Sequence, residues 1–206
     1  PAVSATSRCT DSARSRSPAT CAALRRPACS PAGRSDHSVV VRLAATSLSI
    51  AALSHEPMSD IERLQALLDA MPPGRALGVR VARCDAKGVA LEAPLALNVN
   101  DKACAFGGSL ASLLTLAAWG ALESALHRRG LRAEVYVADS RLDYKAPLYG
   151  DLRAEADAPD DAALDALARK LAERGRGGIE LGASVRDADG AEVTTLRGRY
   201  AAVVAR

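Results

Sequence analysis

The chain has 206 residues, of which 49% are hydrophobic and 25% are charged. This length allows one domain with a tail or two small domains, and the composition is that of a globular protein. Residues 1–57 carry seven arginines against three acidic residues, a net charge of +4, whereas residues 58–206 carry 20 basic and 21 acidic side chains, a net charge of −1. The basic footprint of a nucleic-acid-binding protein is therefore absent from residues 58–206, so we predict no nucleic-acid partner.

The two parts of the chain differ in composition. Residues 1–57 are rich in Ser, Ala, Pro and Arg, a vocabulary without the patterning of a packed core. Three interpretations stay open for this segment: a misassigned start with Met58 as the true first residue, a disordered or targeting leader, or an ordered extension. Residues 58–206 are predicted to form the folded domain.

Cysteine and histidine usage restricts the chemistry of the domain. Past Met58 there are two cysteines, Cys84 and Cys104, and one histidine, and the chain has no CxxC pair. A zinc site needs clustered Cys and His ligands, so we predict no metal site and no redox cofactor. The two cysteines are expected to be small, reduced side chains in a cytoplasmic protein.

The first elements are predicted from local signals. Ser59 followed by Glu62 is a capping box that begins a helix, and Pro72–Gly74 is expected to end it. Alternating side chains on both sides of the turn Asp85–Gly88 predict a hairpin. A long central helix is predicted from about Gly107 to His127, because apolar residues recur there at helical spacing.

Strand patterns follow the central helix. Residues 133–159 alternate strictly and predict two strands, with alternate residues from Tyr136 to Tyr144 on one face. Residues 160–175 form a short amphipathic pattern, and Asp189–Gly190 predicts a last hairpin. Strand runs segregated from one long helix indicate an α+β fold, in which a curved antiparallel sheet of five to six strands wraps the helix.

The stretch Ala103–Leu122 has no charged residue and is long enough to span a membrane. It contains Gly, Ser and Thr, however, and amphipathic strands flank it. We therefore predict a core helix, buried on most sides, and no membrane span. At its start, Gly107 and Gly108 present backbone N–H groups that either bind an oxygen gaining negative charge or only permit a tight turn into the helix.

A family resemblance bears on these two alternatives. Residues 98–122 together with "DYKAPLYGD" (143–151) resemble the hotdog superfamily, and most of all the family called putative thioesterase of the C-terminal YiiD type. Its pattern N-x-N-x-K-G-T-A-F-G-G-S-L, before a helix with Trp, is matched at Asn98, Asn100, Lys102, Ala105, Phe106, Gly107, Gly108, Ser109, Leu110 and Trp119. The resemblance implies a hotdog dimer that binds an acyl thioester of coenzyme A or acyl carrier protein.

The chain departs from related patterns at informative positions. Ala103-Cys104 replaces the usual Gly-Thr of the family. Compared with the phenylacetyl-CoA thioesterase branch, Phe106 replaces a histidine, and Thr115 falls where a carboxylate is expected. The chain therefore has no obvious nucleophile or general base at that place.

We predict ten site residues. The four catalytic positions are Asn100, Gly107, Gly108 and Thr115. The six substrate-binding positions are Lys102, Phe106, Ser109, Ser112, Ser140 and Tyr144. The two glycine amides would polarise the thioester carbonyl, and the last two residues would face the helix and line an acyl tunnel.

Alternatives remain for individual residues. Asn100 either orients the water or thioester, or caps its own loop. Thr115 either holds a water or bonds its own backbone, and Lys102 either meets a carrier phosphate or is an ordinary solvated lysine.

The predicted function is acyl thioester hydrolysis at a dimer interface, with coenzyme A or phosphopantetheine only as part of the substrate. The expected assembly is a homodimer or a tetramer. The alternative from another class is a non-catalytic module that binds acyl-CoA or an acylated carrier. A hotdog dehydratase is disfavoured, because that chemistry normally needs a histidine with a carboxylate and Phe106 replaces the histidine.

Overall fold

The computed structural model describes residues 58–204, so the interpretations of residues 1–57 lie outside the described part. Within it, four α-helices and six β-strands form an α+β fold. The helices are α1 (Asp60–Ala70), α2 (Pro72–Leu77), α3 (Gly107–Arg128) and α4 (Asp161–Arg174). The strands are β1 (Arg80–Asp85), β2 (Gly88–Ala93), β3 (Ala133–Tyr144), β4 (Leu152–Asp157), β5 (Arg176–Arg186) and β6 (Glu192–Val204).

The predicted capping box begins α1. The Ser59 side chain accepts a hydrogen bond from the Glu62 N–H, and the Glu62 carboxylate accepts one from the Ser59 N–H. The helix ends at Ala70, just before the prolines, as predicted. What the sequence did not predict is that Pro72 also begins a second helix, α2, because a proline at the first helical position loses no intrahelical hydrogen bond.

The sheet is antiparallel and has the strand order β1-β2-β4-β5-β6-β3. The predicted hairpin turn is present, since Asp85 pairs with Gly88. Strand β3, with 12 residues, lies at one end of the sheet and pairs only with β6. Its other edge therefore leaves backbone N–H and C=O groups without a strand partner within the described residues.

The predicted strict alternation along β3 is wrong at one point. The register shifts between Val137 and Asp139, which is a β-bulge, and a bulge changes which residues face the core. Before it, Val135 packs against the core and Tyr136 is 54% exposed on the opposite face. Beyond it, Leu142 packs against the core as predicted. A sequence pattern read at a fixed period of two misses the extra residue.

Helix α3 is the centre of the fold. It contacts β2, β3, β4, β5 and β6, so the sheet wraps around it as predicted. It is long and apolar enough to cross a membrane by length and composition alone, but 67% of that apolar window is buried inside the fold. Gly120 lets α1 approach closely, because a Cβ there would lie 3.3 Å from the Leu64 methyl groups.

Candidate active site at the start of the central helix

The loop before α3 is closed by Asn100. The Asn100 Oδ1 accepts hydrogen bonds from the N–H groups of Lys102 (2.8 Å) and Cys104 (3.2 Å). The Asn100 Nδ2 donates to the Cys104 sulfur at 3.2 Å, and the Asn100 backbone N–H donates to the Cys104 carbonyl at 2.8 Å. Of the two predicted roles, capping of the loop is thus present. One Nδ2 hydrogen remains without a partner among the described residues.

Ala103 lies at the tip of this loop in the left-handed region, with φ of 59°. It is the only residue other than glycine with positive φ among residues 58–204. Its position is the one where the related pattern has glycine. A Cβ in this conformation crowds the following carbonyl, so Ala103 stores local strain.

Two backbone hydrogen bonds fix the chain just before the helix. The Ala105 N–H donates to the Leu148 carbonyl at 2.8 Å, and the Phe106 N–H donates to the Asn98 carbonyl at 2.7 Å. The buried Asn98 side chain in turn donates to the carbonyls of Leu77 (2.9 Å) and Pro94 (2.8 Å). The direction in which α3 begins is therefore set by three separate segments.

The first turn of α3 has free backbone donors. The first intrahelical bond runs from the Leu110 N–H to the Phe106 carbonyl at 3.1 Å, and Phe106 supplies no side-chain cap. Within residues 58–204, no protein atom accepts a hydrogen bond from the N–H groups of Gly107, Gly108 or Ser109. Gly107 and Gly108 are only half-buried. Their amides, aligned with the helix dipole, can bind an oxygen that carries negative charge.

Two aromatic rings flank these amides. A Cβ at Gly108 would lie 2.3 Å from a ring carbon of Phe106, so any other residue at 108 would displace this ring. The Tyr144 hydroxyl donates to the Gly107 carbonyl at 3.0 Å. A Cβ at Gly107 would lie 3.5 Å from the Tyr144 ring, which is ordinary contact. Both rings are more than half exposed.

An apolar pocket of about 630 Å³ lies farther along the same helix. Its lining comes from the α1–α2 segment, from α3 and from β3, and contains no ionisable side chain: Ala70, Met71, Pro72, Pro73, Gly74, Leu77, Ala111, Ser112, Thr115, Leu116, Ser140 and Leu142. We call it the acyl pocket, after the acyl tunnel that Ser140 was predicted to line. The Ser112 hydroxyl donates to the Gly108 carbonyl at 2.9 Å, which links the pocket to the first turn of α3. A larger cavity of about 830 Å³ lies elsewhere, among charged side chains such as Arg141, Glu180 and Arg186. We place the site at the smaller cavity, because ligand pockets are mostly apolar with a few polar groups.

Thr115 belongs to this pocket but does not lie beside the amides of its own chain. Seven residues separate it from Gly108, which corresponds to about 10 Å along a helix. Its carbonyl accepts a hydrogen bond from the Tyr200 hydroxyl at 3.2 Å. Burial raises the pKa of Tyr200 to about 12, so this phenol stays neutral and holds the middle of α3 against β6.

The remaining predicted residues are placed as follows. Ser140 lies in the lining of the acyl pocket, whereas Tyr144, which was predicted to line a tunnel with it, is not among the lining residues. The Lys102 ammonium pairs with Asp101 at 2.9 Å, and both side chains are exposed at the loop tip, outside the pocket. Ser109 is buried, with 7% of its surface exposed. The Ser109 hydroxyl, predicted to bind substrate, therefore belongs to a buried residue.

Comparison with known proteins decides the family. The family described as "Putative thioesterase (yiiD_Cterm)" matches residues 61–204 of the chain. The chain belongs to this thioesterase family. The hotdog fold predicted for it is likewise confirmed, because its structural neighbours are hotdog structures of the thioesterase superfamily.

Three solved structures illustrate how the chain compares with other proteins of this fold. A protein of unknown function from Chlorobaculum tepidum is 28% identical, with a TM-score of 0.66 over 69% of this chain and 93% of that one. A protein named "putative thioesterase" from Shewanella oneidensis is 21% identical, with a TM-score of 0.62 over 71% of this chain and 98% of that one. A Pseudomonas aeruginosa protein described as a probable thioesterase is 23% identical, with a TM-score of 0.58 over 72% and 98%.

For this member of the thioesterase family, sequence reasoning missed two parts of the site. The sequence pattern predicts only a helix end between α1 and α2, whereas in the structure Met71 and its neighbours line the acyl pocket. Tyr200 had no signal in the sequence, because its contact with Thr115 joins residues 85 positions apart. The double proline at 72–73 was the one usable hint, since two fixed φ angles favour a rigid turn.

Proposed function

We propose that the protein hydrolyses acyl thioesters carried by coenzyme A or by acyl carrier protein. The observation that carries this proposal is the pair of half-buried amides at Gly107 and Gly108, which have no acceptor among residues 58–204. A thioester carbonyl gains negative charge when water attacks it. Fixed N–H donors aimed at that oxygen stabilise the transition state, and one such donor is worth about 10²–10³ in rate.

The other site residues have supporting roles. The acyl chain enters the acyl pocket, where the hydroxyls of Ser112, Thr115 and Ser140 are the polar groups. Phe106 and Tyr144 flank the thioester. Asn100 acts as a positioning residue, because its side chain holds the loop that leads into α3. Coenzyme A or phosphopantetheine takes part only as a portion of the substrate, and the exposed Lys102 is available to its phosphate.

Two copies of the chain are needed to complete this site. Thr115 lies about 10 Å along the helix from Gly108 of the same chain, too far to position water at a carbonyl held there. If two copies pair along the free edges of their β3 strands, the acyl pocket of each copy lies near the shared boundary. The Gly107 and Gly108 amides of the other copy would reach the same place. We therefore propose two equivalent sites, each with the amides of one copy and Thr115 of the other.

A mixing experiment tests this arrangement. Gly108→Val fills the space over the amides, and Thr115→Val removes the hydroxyl at nearly constant volume; each homodimer should lose most activity. After the two variants are unfolded and refolded together, half of the dimers are heterodimers, and each has one intact site. The mixture should recover about a quarter of the wild-type activity per chain.

The control is a mixture of Gly108→Val with the double variant Gly108→Val/Thr115→Val. This mixture should recover no activity, because no dimer in it contains an intact site. Full activity of Thr115→Val would remove this residue from the mechanism. Loss in both variants without recovery in the mixture would refute a site shared between copies.

A second candidate function is a non-catalytic module that binds acyl-CoA or an acylated carrier. It is favoured by one observation: the acyl pocket has no ionisable side chain in its lining, so no general base faces the substrate there. A panel of acyl-CoAs with a thiol reagent separates the two functions. Release of free thiol supports the hydrolase, whereas saturable binding without release supports the module.

A further inference from the structure

We infer that the turn Met71–Gly74, between α1 and α2, is the end wall of the acyl pocket and sets the length of the acyl group. This inference rests on the proposed function and names the substrate class of that site. Two sides of the pocket belong to the helix and strand that carry the predicted site residues. Helix α3 contributes four residues and β3 contributes two: Ala111, Ser112, Thr115 and Leu116, and Ser140 and Leu142. The α1–α2 segment supplies the third side.

The end wall is held rigidly. A Cβ at Gly74 would lie 2.6 Å from the Leu68 carbonyl oxygen, so only glycine lets α2 fold back so closely on α1. The Met71 N–H donates to the Leu68 carbonyl at 3.1 Å, and the Arg75 guanidinium donates to the Asp69 carbonyl. Pro72 and Pro73 add two fixed φ angles. A wall fixed in this way is suited to excluding chains that are too long.

The occupant is an acyl chain because of the chemistry of the pocket. Its lining is apolar apart from three hydroxyls, and Ser112 connects it to the first turn of α3. The α3 residues in the lining, Ala111 to Leu116, span about 7.5 Å of helix. Carbon–carbon bonds of about 1.5 Å advance an extended chain by about 1.25 Å each. The pocket therefore accommodates about six methylenes, which corresponds to acyl groups of about eight carbons.

Met71 is the residue by which the position of the wall can be changed, since it carries the only long side chain on the fixed backbone of the turn. Met71→Ala removes three heavy atoms, which lengthens the pocket by about 4 Å or about three methylenes. Ala111→Leu adds three carbons on the α3 side of the pocket and should shorten the preferred chain by a similar amount. Met71→Leu keeps the volume and is the matched control.

The experiment uses the full chain and straight-chain thioesters of two to 16 carbons, both as acyl-CoA and as N-acetylcysteamine esters, which carry no nucleotide. kcat/KM and the Kd of product fatty acids are measured against chain length. Met71→Ala should move both optima up by two to three carbons, with about a fourfold gain for each added methylene that becomes buried. Ala111→Leu should move both optima down, and Met71→Leu should leave them unchanged.

The outcomes separate the inference from the function on which it rests. A shifted binding optimum without turnover would overturn hydrolysis and uphold the end wall. Turnover with the same optimum in wild type, Met71→Ala and Ala111→Leu would uphold hydrolysis and overturn the end wall. Neither turnover nor binding at any length would overturn both. Thermal unfolding of each variant identifies any change that comes only from misfolding.

Discussion

Replacing Ala103 with glycine should stabilise the protein, although glycine usually weakens a fold. Ala103 has φ of 59°, a region that costs an L-residue about 1–2 kcal/mol. Glycine removes this cost but gives the unfolded chain more freedom, which offsets about 0.4–1 kcal/mol. The net gain is about 0.5–1 kcal/mol in the free energy of unfolding. For a domain of this size the melting temperature should rise by roughly 2–3 °C.

The assay is denaturant and thermal unfolding of the full chain. The matched control is Ala66→Gly, the same chemical change at an exposed position inside α1. There the backbone is helical, so glycine should lower stability by about 0.5–1 kcal/mol. Opposite signs for the two substitutions are the expected result. A loss of stability at position 103 equal to that at position 66 would refute the strain argument.

Two further predictions concern the start and the middle of α3. Gly107→Ala should leave kcat/KM within about twofold. Gly108→Ala should lower kcat/KM by roughly tenfold to a hundredfold, because the new Cβ pushes the Phe106 ring out of its place beside the amides. Equal kcat/KM for the two variants would contradict this prediction. Tyr200 has a pKa of about 12 in the fold against about 10 unfolded, so its contribution to stability is complete below pH 10 and is lost as pH rises towards 12. The free energy of unfolding of wild type relative to Tyr200→Phe should therefore fall by about 1 kcal/mol between pH 9 and 11, and a difference independent of pH would show that this phenol is not buried.

Local signals in the sequence predicted most of the fold. The capping box at Ser59, the turn at Asp85–Gly88 and the start of α3 at Gly107 all occur where predicted. Each depends on bonds or backbone angles within a few residues, which is why a short window suffices. The bulge after Val137 escaped prediction, because its position depends on pairing with β6, which lies about 60 residues away along the chain.

The candidate site was predictable in part. The residues around Gly107 were found because a glycine pair before an apolar helix is a local feature, and the family resemblance pointed to the same place. The sequence leaves two roles open for Asn100: it either orients the water or thioester, or caps its own loop. The structure shows its oxygen bonded to the loop, because Ala103 adopts positive φ and turns two N–H groups towards it. The role of Asn100 in catalysis stays a prediction.

The sequence by itself determined which segments are helical or extended, the α+β class, and the family to which residues 61–204 belong. Only the tertiary structure decided that Thr115 lines a pocket with Met71 and Ser140. It also decided that the Tyr200 hydroxyl bonds α3 at the Thr115 carbonyl. Thr115 and Tyr200 alone lie 85 positions apart along the chain. Their meeting depends on how the whole core packs around α3, and no local pattern of side chains encodes that packing.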